Sequence, residues 1–223
     1  MKINVKGYGL FDYEPGDTFE SISKRIQRPD TPLIVAAKCG NLLRELKHEI
    51  PEACEVEFID LKHSDGEKIY QRSLSFLLIR AAISCFDGIH VRVEHSLSKG
   101  LYCEFDYHRR LTHEDYEIIT KQMATYVEAN LPFDKKVYLN EEAAKAFDAY
   151  KMKSKVELLK FRPKNDISLY EFDGVLNYFY GYMVPSSGYL KIFDVIKYDD
   201  GAILMHPTKY SPFSVPVFEE STK

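Results

Sequence analysis

Hydrophobic residues line both sides of one long stretch in the first half of the chain, residues 69–86. Those that recur at helical spacing are Tyr70, Leu74, Leu77, Leu78, Ala81, Ala82 and Cys85, and those opposite them are Ile69, Phe76, Ile79, Ile83 and Phe86. A helix that is apolar all round is buried. Because Arg72 and Arg80 lie inside it and charges are costly at mid-membrane, the pattern predicts the core helix of a soluble domain. Ser64 and Glu67 have the spacing of a capping box just before it.

Shorter apolar runs before this helix predict a small mixed unit over residues 1–62. The expected elements are a strand and turn over 3–10, a strand at 11–13, a helix at 19–26 capped by Asp17 or Thr18, and strands at 33–37 and 54–61. Two strands, a helix and two further strands in this order are typical of a β-grasp fold.

Residues 89–107 alternate between apolar and polar side chains and predict a β-hairpin. If the polar faces of the two strands coincide, Arg92 lies opposite Glu104 and His90 opposite Asp106, because a slip of one residue would bury the charges of one strand. We interpret the histidines and the arginine of the first strand as solvent-facing residues of a half-buried strand, and not as a metal or catalytic cluster.

Further helices and short strands follow in the second half of the chain. Helices are expected at residues 112–130 and 141–150, and strands at 135–139, at 156–162 and repeatedly between 167 and 206. Together these elements predict an α+β protein in which a small β-grasp unit precedes an antiparallel sheet that is wrapped around a central buried helix.

Composition narrows the classes of partner and compartment. The 223 residues are 45% hydrophobic and 29% charged, with a net charge of −4, whereas general nucleic-acid and membrane-surface binders need a basic surface. A local basic spot stays compatible with this charge. The four cysteines form no Cys-x-x-Cys pair and are interpreted as reduced thiols in the core. Since no signal peptide precedes the first strand, we expect a cytoplasmic protein that does not contact the membrane.

Two segments resemble known modules. The runs YEPGDTFESISKRI and VAAKCGN are similar to the TGS domain, the β-grasp module at the front of threonyl-tRNA synthetases. Residues 64–206 resemble the second domain of those enzymes, which edits mischarged tRNA, through RSLSFLLIRA, GLYCEFD, LTHEDYEIITKQM, LPF, NEEAAKAF, SLYEFD and YGYMVPSSGYLKIFDVIKY. The resemblance implies a TGS-like domain at 1–62, an editing-like domain at 63–210, and a linker toward a missing C-terminal domain at 211–223.

The editing site of that family consists of a His-x-x-x-His motif on the central helix and a Cys-x-x-x-His motif before a Val-Pro-Ser turn. The corresponding positions of this chain are Arg72, Phe76, Phe179 and Met183. A phenylalanine has no lone pair to offer and an arginine stays protonated, so neither binds zinc or acts as a general base near neutral pH. The substitutions predict a degenerate site without metal, cofactor or catalytic residue.

An inherited pocket can still bind a ligand. Arg72 would supply a fixed positive charge, and Phe76, Phe179, Tyr180 and Tyr182 would offer stacking surfaces, which suits a nucleotide, an RNA or another planar anion. In the alternative interpretation, the aromatic side chains only fill the volume that the polar site residues left.

The order of the two modules and the run SSGYLKIFDVIKYDDGAILMHP also resemble bacterial uridine-kinase-like proteins, in which both modules precede a P-loop kinase domain. No Gly-x-x-x-x-Gly-Lys-Ser/Thr loop occurs in the chain, so ATP and Mg²⁺ are expected only in a downstream kinase domain. The favoured function is a non-catalytic regulatory, ligand-binding or RNA-binding module of a nucleoside kinase, a transferase. The alternatives are a free-standing TGS and editing-like adaptor, or a tRNA-editing hydrolase.

Overall fold

The computed structural model describes residues 1–52, 54–150 and 152–219, and it confirms the α+β fold class. The first sixty residues form the strands and the helix that the sequence predicts, with one further strand. These elements are β1 (Lys2–Val5), β2 (Gly9–Asp12), α1 (Phe19–Ile26), β3 (Ile34–Cys39), β4 (Leu42–Glu45) and β5 (Glu55–Asp60). The strand order is β2-β1-β5-β3-β4, with β1 parallel to β5. Phe19, Ile22 and Ile26 of α1 lie on one helical face and pack onto the sheet.

One prediction for this unit is wrong. Cys39 and Cys54 are joined by a disulfide, with their Cα atoms 5.6 Å apart, whereas Cys85 and Cys103 are free thiols. The sequence places fourteen residues between the paired cysteines and gives no sign that they meet. They meet because β3 pairs with β5, so that Cys39 lies opposite Val56, close in the chain to Cys54.

The remainder of the chain supplies four helices and seven strands within the described residues. In chain order they are α2 (Ser64–Cys85), β6 (His90–Leu97), β7 (Gly100–Asp106), α3 (His113–Ala129), β8 (Asp134–Leu139), α4 (Asn140–Ala149), α5 (Lys153–Lys160), β9 (Asp166–Phe172), β10 (Val175–Asn177), β11 (Asp194–Tyr198) and β12 (Gly201–Met205). They build a three-stranded sheet, β10-β9-β8, and a four-stranded sheet, β11-β12-β7-β6.

Helix α2 is the predicted core helix, and twelve of its 22 residues are buried. Its N-cap is His63, whose side chain accepts a hydrogen bond from the Asp65 amide, so the predicted capping box of Ser64 and Glu67 is wrong. Gly66 allows the helix to begin against β5, because a Cβ atom there would lie 2.0 Å from the Asp60 carbonyl oxygen. No helix in the described part of the chain is long and apolar enough to cross a membrane.

The register of the β6–β7 hairpin is confirmed. Arg92 lies opposite Glu104 and His90 opposite Asp106, and an irregularity after Val93 shifts the register nearer the turn. The polar faces therefore coincide as the alternation requires.

Residues 153–160 form the helix α5, so the strand predicted at 156–162 is wrong. Val156 and Leu159 are three residues apart, which places them on one helical face, where they pack into the cluster of Phe147 and Leu169. The run is too short for its periodicity to distinguish helix from strand. Likewise, only 175–177 of the apolar run at 175–184 pairs as a strand, and the rest is irregular.

Candidate functional site

A cleft of about 540 Å³ opens beside the central helix α2. Its walls come from α2, from the strand β6, from the start of α5, and from residues 177–179 after β10. The residues that line it are Lys68, Gln71, Arg72, Ser75, Ile79, His90, Val91, Arg92, Val93, Glu94, Leu101, Met152, Ser154, Lys155, Asn177, Tyr178 and Phe179. The lining mixes apolar side chains, among them Val91, Leu101 and Met152, with several cations.

Arg72 lies in the cleft wall, but its guanidinium is engaged by the protein. Its Nη1 donates a hydrogen bond to the Tyr182 carbonyl, and Gly181 packs against it so closely that a Cβ atom would lie 2.8 Å from Cζ. Burial lowers the pKa of Arg72, and the nearby Tyr170 and Glu45 oppose that shift. The Tyr170 hydroxyl donates to Glu45 and lies 3.2 Å from the carbonyl of Gly181, the residue that packs on Arg72, so the arginine belongs to a structural network.

The other three positions that the resemblance assigns to the editing site are Phe76, Phe179 and Met183, and all three adjoin the main apolar core. Phe76 is 0% exposed, and its ring centroid lies 5.2 Å from that of Phe179, 5.8 Å from Phe172 and 6.0 Å from Phe133. Met183 is buried and lines a separate cavity of about 310 Å³. The structure brings Arg72 and Phe179 to the cleft, sets Phe76 against Phe179, and leaves Met183 outside the cleft lining. This geometry favours the interpretation that Phe76 and Met183 fill space.

The two predicted tyrosines lie apart from the cleft lining that the described residues form. Tyr180 is 88% exposed. Tyr182 is half-buried, and the Lys135 ammonium lies 4.9 Å from its ring centroid. Neither tyrosine belongs to the cleft lining that includes Lys155 and the residues of β6.

Sequence reasoning missed the polar pair at the inner end of the cleft, Lys155 and Asn177. The Lys155 ammonium donates hydrogen bonds to Asn177 Oδ1 and, at 3.5 Å, to the Tyr178 carbonyl, and it lies 5.3 Å from the ring centroid of Phe179. Burial lowers the pKa of Lys155 to about 8. Asn177 is fully buried, and its Nδ2 has no hydrogen-bond partner among the described residues.

Two signals could have revealed this pair. Asn177 follows Val175 at the period-2 spacing of a strand, so a buried asparagine is implied once Val175 is placed in the core. Lys155 could be found only by assigning residues 153–160 to a helix, since its side chain then lies near the loop after β10.

The hairpin wall of the cleft carries His90 and Arg92. Arg92 donates to Glu104 at 2.6 Å and to Glu94 at 3.1 Å, so its charge is largely balanced. Burial, and then the charge of Arg92, lower the pKa of His90, which makes the imidazole neutral near pH 7. Across residues 1–52, 54–150 and 152–219, no group of three or more His, Cys, Asp or Glu side chains is arranged to hold a metal ion.

Comparison with known proteins adds a family relationship to this geometry. No family model matches the chain. The chain is similar to threonine–tRNA ligases. It is 26% identical to that of Oleidesulfovibrio alaskensis over 198 residues, which cover 88% of this chain and 31% of the ligase. It is 31% identical to that of Fusobacterium nucleatum subsp. nucleatum over 174 residues, which cover 77% of this chain and 28% of the ligase.

A third relative extends the same relationship. The threonine–tRNA ligase of Caldanaerobacter subterraneus subsp. tengcongensis is 28% identical over 192 residues, which cover 86% of this chain and 30% of the ligase. The chain therefore spans less than a third of the length of each of these relatives. The similarity supports the resemblance to TGS and editing-like modules, and it gives no support to a uridine-kinase-like parent.

Proposed function

We propose that this chain is a binding module of the editing-domain type that accepts a nucleotide or the end of an RNA in its cleft and does not hydrolyse it. The observation that carries the proposal is the packing of Phe76 among three other aromatic rings, at a position where hydrolysis would need an imidazole. An apolar side chain there can neither activate water nor bind a metal ion. The similarity to threonine–tRNA ligases supports an RNA or nucleotide as the ligand class.

The charge of the cleft supports an anionic ligand in a protein of net charge −4. Lys68 is exposed at the cleft edge, and Lys155 lies at the inner end. Positive groups on a ligand path raise association rates with polyanions and make affinity depend on salt. We expect binding of RNA to weaken as salt is added.

The test measures both the binding of RNA and nucleotide and the hydrolysis of an aminoacyl-tRNA. Titration with deacylated tRNA and with AMP should give saturable binding, and incubation with seryl-tRNA should leave the ester intact at the uncatalysed rate. The charge reversal Lys68→Glu should weaken tRNA binding, whereas Lys62→Glu, which makes the same charge change outside the cleft lining, should have a smaller effect. Deacylation of seryl-tRNA that is lost in His90→Ala would overturn the proposal in favour of a hydrolase.

We also propose that residues 1–62 and 63–210 act as two modules, TGS-like and editing-like, with residues 211–223 as a linker. The first module has its own apolar cluster around Phe19 and Ile22 and meets the second through Glu45 and Tyr170. A free-standing adaptor agrees better with the relatives than a kinase parent does, because none of the three relatives is a kinase. The kinase context is the weaker proposal, and sequencing of the gene downstream of residue 223 tests it.

A further inference from the structure

The ammonium group of Lys155 is partly buried and has no counter-charge among the described residues. Within the described part of the chain it makes no salt bridge, and its acceptors are the Asn177 amide oxygen and the Tyr178 carbonyl, which are neutral. A charge removed from water is costly unless an opposite charge or several hydrogen bonds compensate it. The cleft therefore holds a cation that a bound anion would neutralise.

The amide of Asn177 has a defined orientation. Its Oδ1 accepts from the Lys155 ammonium and, at 2.9 Å, from the Tyr178 amide, and both of these groups can only donate. The atom facing them must be the oxygen, so Nδ2 lies on the other side of the group. That nitrogen is a buried donor without a partner in the described residues, and leaving a buried donor unpaired is unfavourable.

We propose that the inner end of the cleft is an oxyanion site, in which the Lys155 ammonium binds a carboxylate or phosphate oxygen and the Asn177 amide holds the ammonium in position. The inference rests on the proposed ligand-binding role of the cleft and names the group that is recognised there. Val91, Leu101 and Met152 line the neighbouring wall, so the body that carries the oxyanion is apolar or planar. Arg72 is not the recognising cation, because its guanidinium is bound to the Tyr182 carbonyl.

Binding at this site is coupled to protons. Burial holds the pKa of the free lysine at about 8, and a bound oxyanion favours the charged form, so Lys155 takes up a proton from solvent when the ligand binds above that pH. The charged and titratable groups that line the cleft with Lys155 are His90, Arg92 and Glu94 from β6 and Lys68 and Arg72 from α2. The arginines keep their protons through this range, and the pKa of Lys155 lies inside it, so we expect Lys155 to dominate the pH dependence of binding between 7 and 9.

The experiment uses pairs of probes that share a body and differ in the oxyanion: AMP with adenosine, and benzoate with benzamide. Titration calorimetry at pH 7 should show each anionic member binding at least tenfold more tightly than its neutral partner. The preference should be lost in Lys155→Met and retained in Lys153→Met, an exposed lysine two residues away on the same helix. Comparison of the two pairs distinguishes phosphate from carboxylate as the preferred anion.

A second measurement distinguishes loss of the anion site from misfolding of the variant. Isotope-edited NMR of the lysine side chains should show the pKa of Lys155 rising when the preferred anion is added, and Lys155→Arg should keep part of the preference. Equal loss of preference in both methionine variants, or anion affinity that Lys155→Met leaves unchanged, would overturn the oxyanion site. If the protein binds adenosine and tRNA but shows no preference for the anionic probes, the oxyanion site is wrong and the proposed function stands. If it binds benzoate but neither nucleotide nor tRNA, the proposed function is wrong.

Discussion

Arg72 and Lys155 both bring a positive charge to the same cleft, but the fold surrounds them differently. Arg72 is bound to a backbone carbonyl, packed on Gly181 and set near Glu45, which comes from the first module. Lys155 has only neutral acceptors among the described residues. Arginine keeps its proton under burial, whereas a buried lysine adjusts its pKa. The first cation is therefore part of the architecture, and the second is available to a ligand.

Under the proposed function, the difference locates the part of the cleft that binds a ligand. On the side of Arg72, the aromatic rings and the network of Tyr170 and Glu45 occupy the space, so little room is left for chemistry. On the side of Lys155, a partly buried cation has no counter-charge among the described residues, beside a buried amide donor that has no partner there. The following variants test whether the two regions differ in this way.

The largest effect on stability should come from removing an aromatic ring from the packed region beside Arg72. Phe76→Ala removes a fully buried ring from contact with Phe133, Phe172 and Phe179, and we expect it to lower the free energy of unfolding by about 3–5 kcal/mol. Denaturant unfolding measures the change. Phe161→Ala serves as the control, because Phe161 is 83% exposed and its truncation should change stability by about 0.5 kcal/mol at most. A loss below 1 kcal/mol for Phe76→Ala would mean that this side is not a packed core.

The next effect concerns Lys155 and has the opposite sign. Burial lowers its pKa from 10.5 to about 8, so at pH 7 the folded state carries a charge that it disfavours. A shift of this size corresponds to about 3 kcal/mol, and Lys155→Met should stabilise the protein by up to that amount at pH 7, less what the lost hydrogen bond to Asn177 contributes.

The pH dependence of the stability difference between wild type and Lys155→Met tests whether burial of the lysine causes it. Between pH 8 and 10.5 the unfolded state binds more protons at Lys155 than the folded state does, so the stability of the wild-type protein rises with pH relative to the variant. Subtracting the curves of wild type and Lys155→Met removes the contribution of the tyrosines. A difference that stays constant from pH 7 to 10.5 would show that Lys155 is not desolvated.

The sequence predicted the regions whose signal is local and repetitive. Helix α1 begins and ends at the expected residues, and α2 is buried on nearly all sides because its apolar residues leave no polar face. The hairpin register agrees with the alternation, since a slip of one residue from Arg92 opposite Glu104 would set the polar face of one strand against the apolar face of the other. Such features depend on neighbours in the chain, so a single sequence carries them.

The cleft depended on contacts between distant residues, and there the sequence was less informative. Lys155 was hidden by the strand assigned to 156–162, and its partner Asn177 lies 22 residues away in a run that pairs for only three residues. The contact of Arg72 with Gly181 and Tyr182 spans about 110 residues and has no periodic signature. The resemblance named four site positions, of which Arg72 and Phe179 line the cleft, and only the three-dimensional structure separates these from the buried Phe76 and Met183.

A third test removes the engaged cation. Arg72→Met keeps most of the side-chain volume but leaves the Tyr182 carbonyl without its donor and Glu45 without a nearby positive charge. We expect a loss of about 1–3 kcal/mol of unfolding free energy at pH 7, opposite in sign to Lys155→Met. Arg72→Lys should recover only part of it, since an ammonium lacks the planar surface that packs on Gly181. If Arg72→Met instead stabilises the protein, Arg72 and Lys155 do not differ in their contribution to stability as we propose.

The smallest effect should come from Arg92, the cation on the hairpin wall, which forms ion pairs with Glu94 and Glu104 but lies largely in solvent. Its guanidinium is 2.6 Å from Glu104 and 3.1 Å from Glu94, and all three side chains are at least 39% exposed. Water and salt screen such pairs, so Arg92→Met should lower the free energy of unfolding by only about 0.2–1 kcal/mol. The loss should vanish in 1 M NaCl, where the screening length falls to about 3 Å. A loss above about 2 kcal/mol, or one that persists in salt, would show that an exposed ion pair stabilises this fold strongly. Burial would then not explain why Arg72 contributes more to stability than the other cations of the cleft.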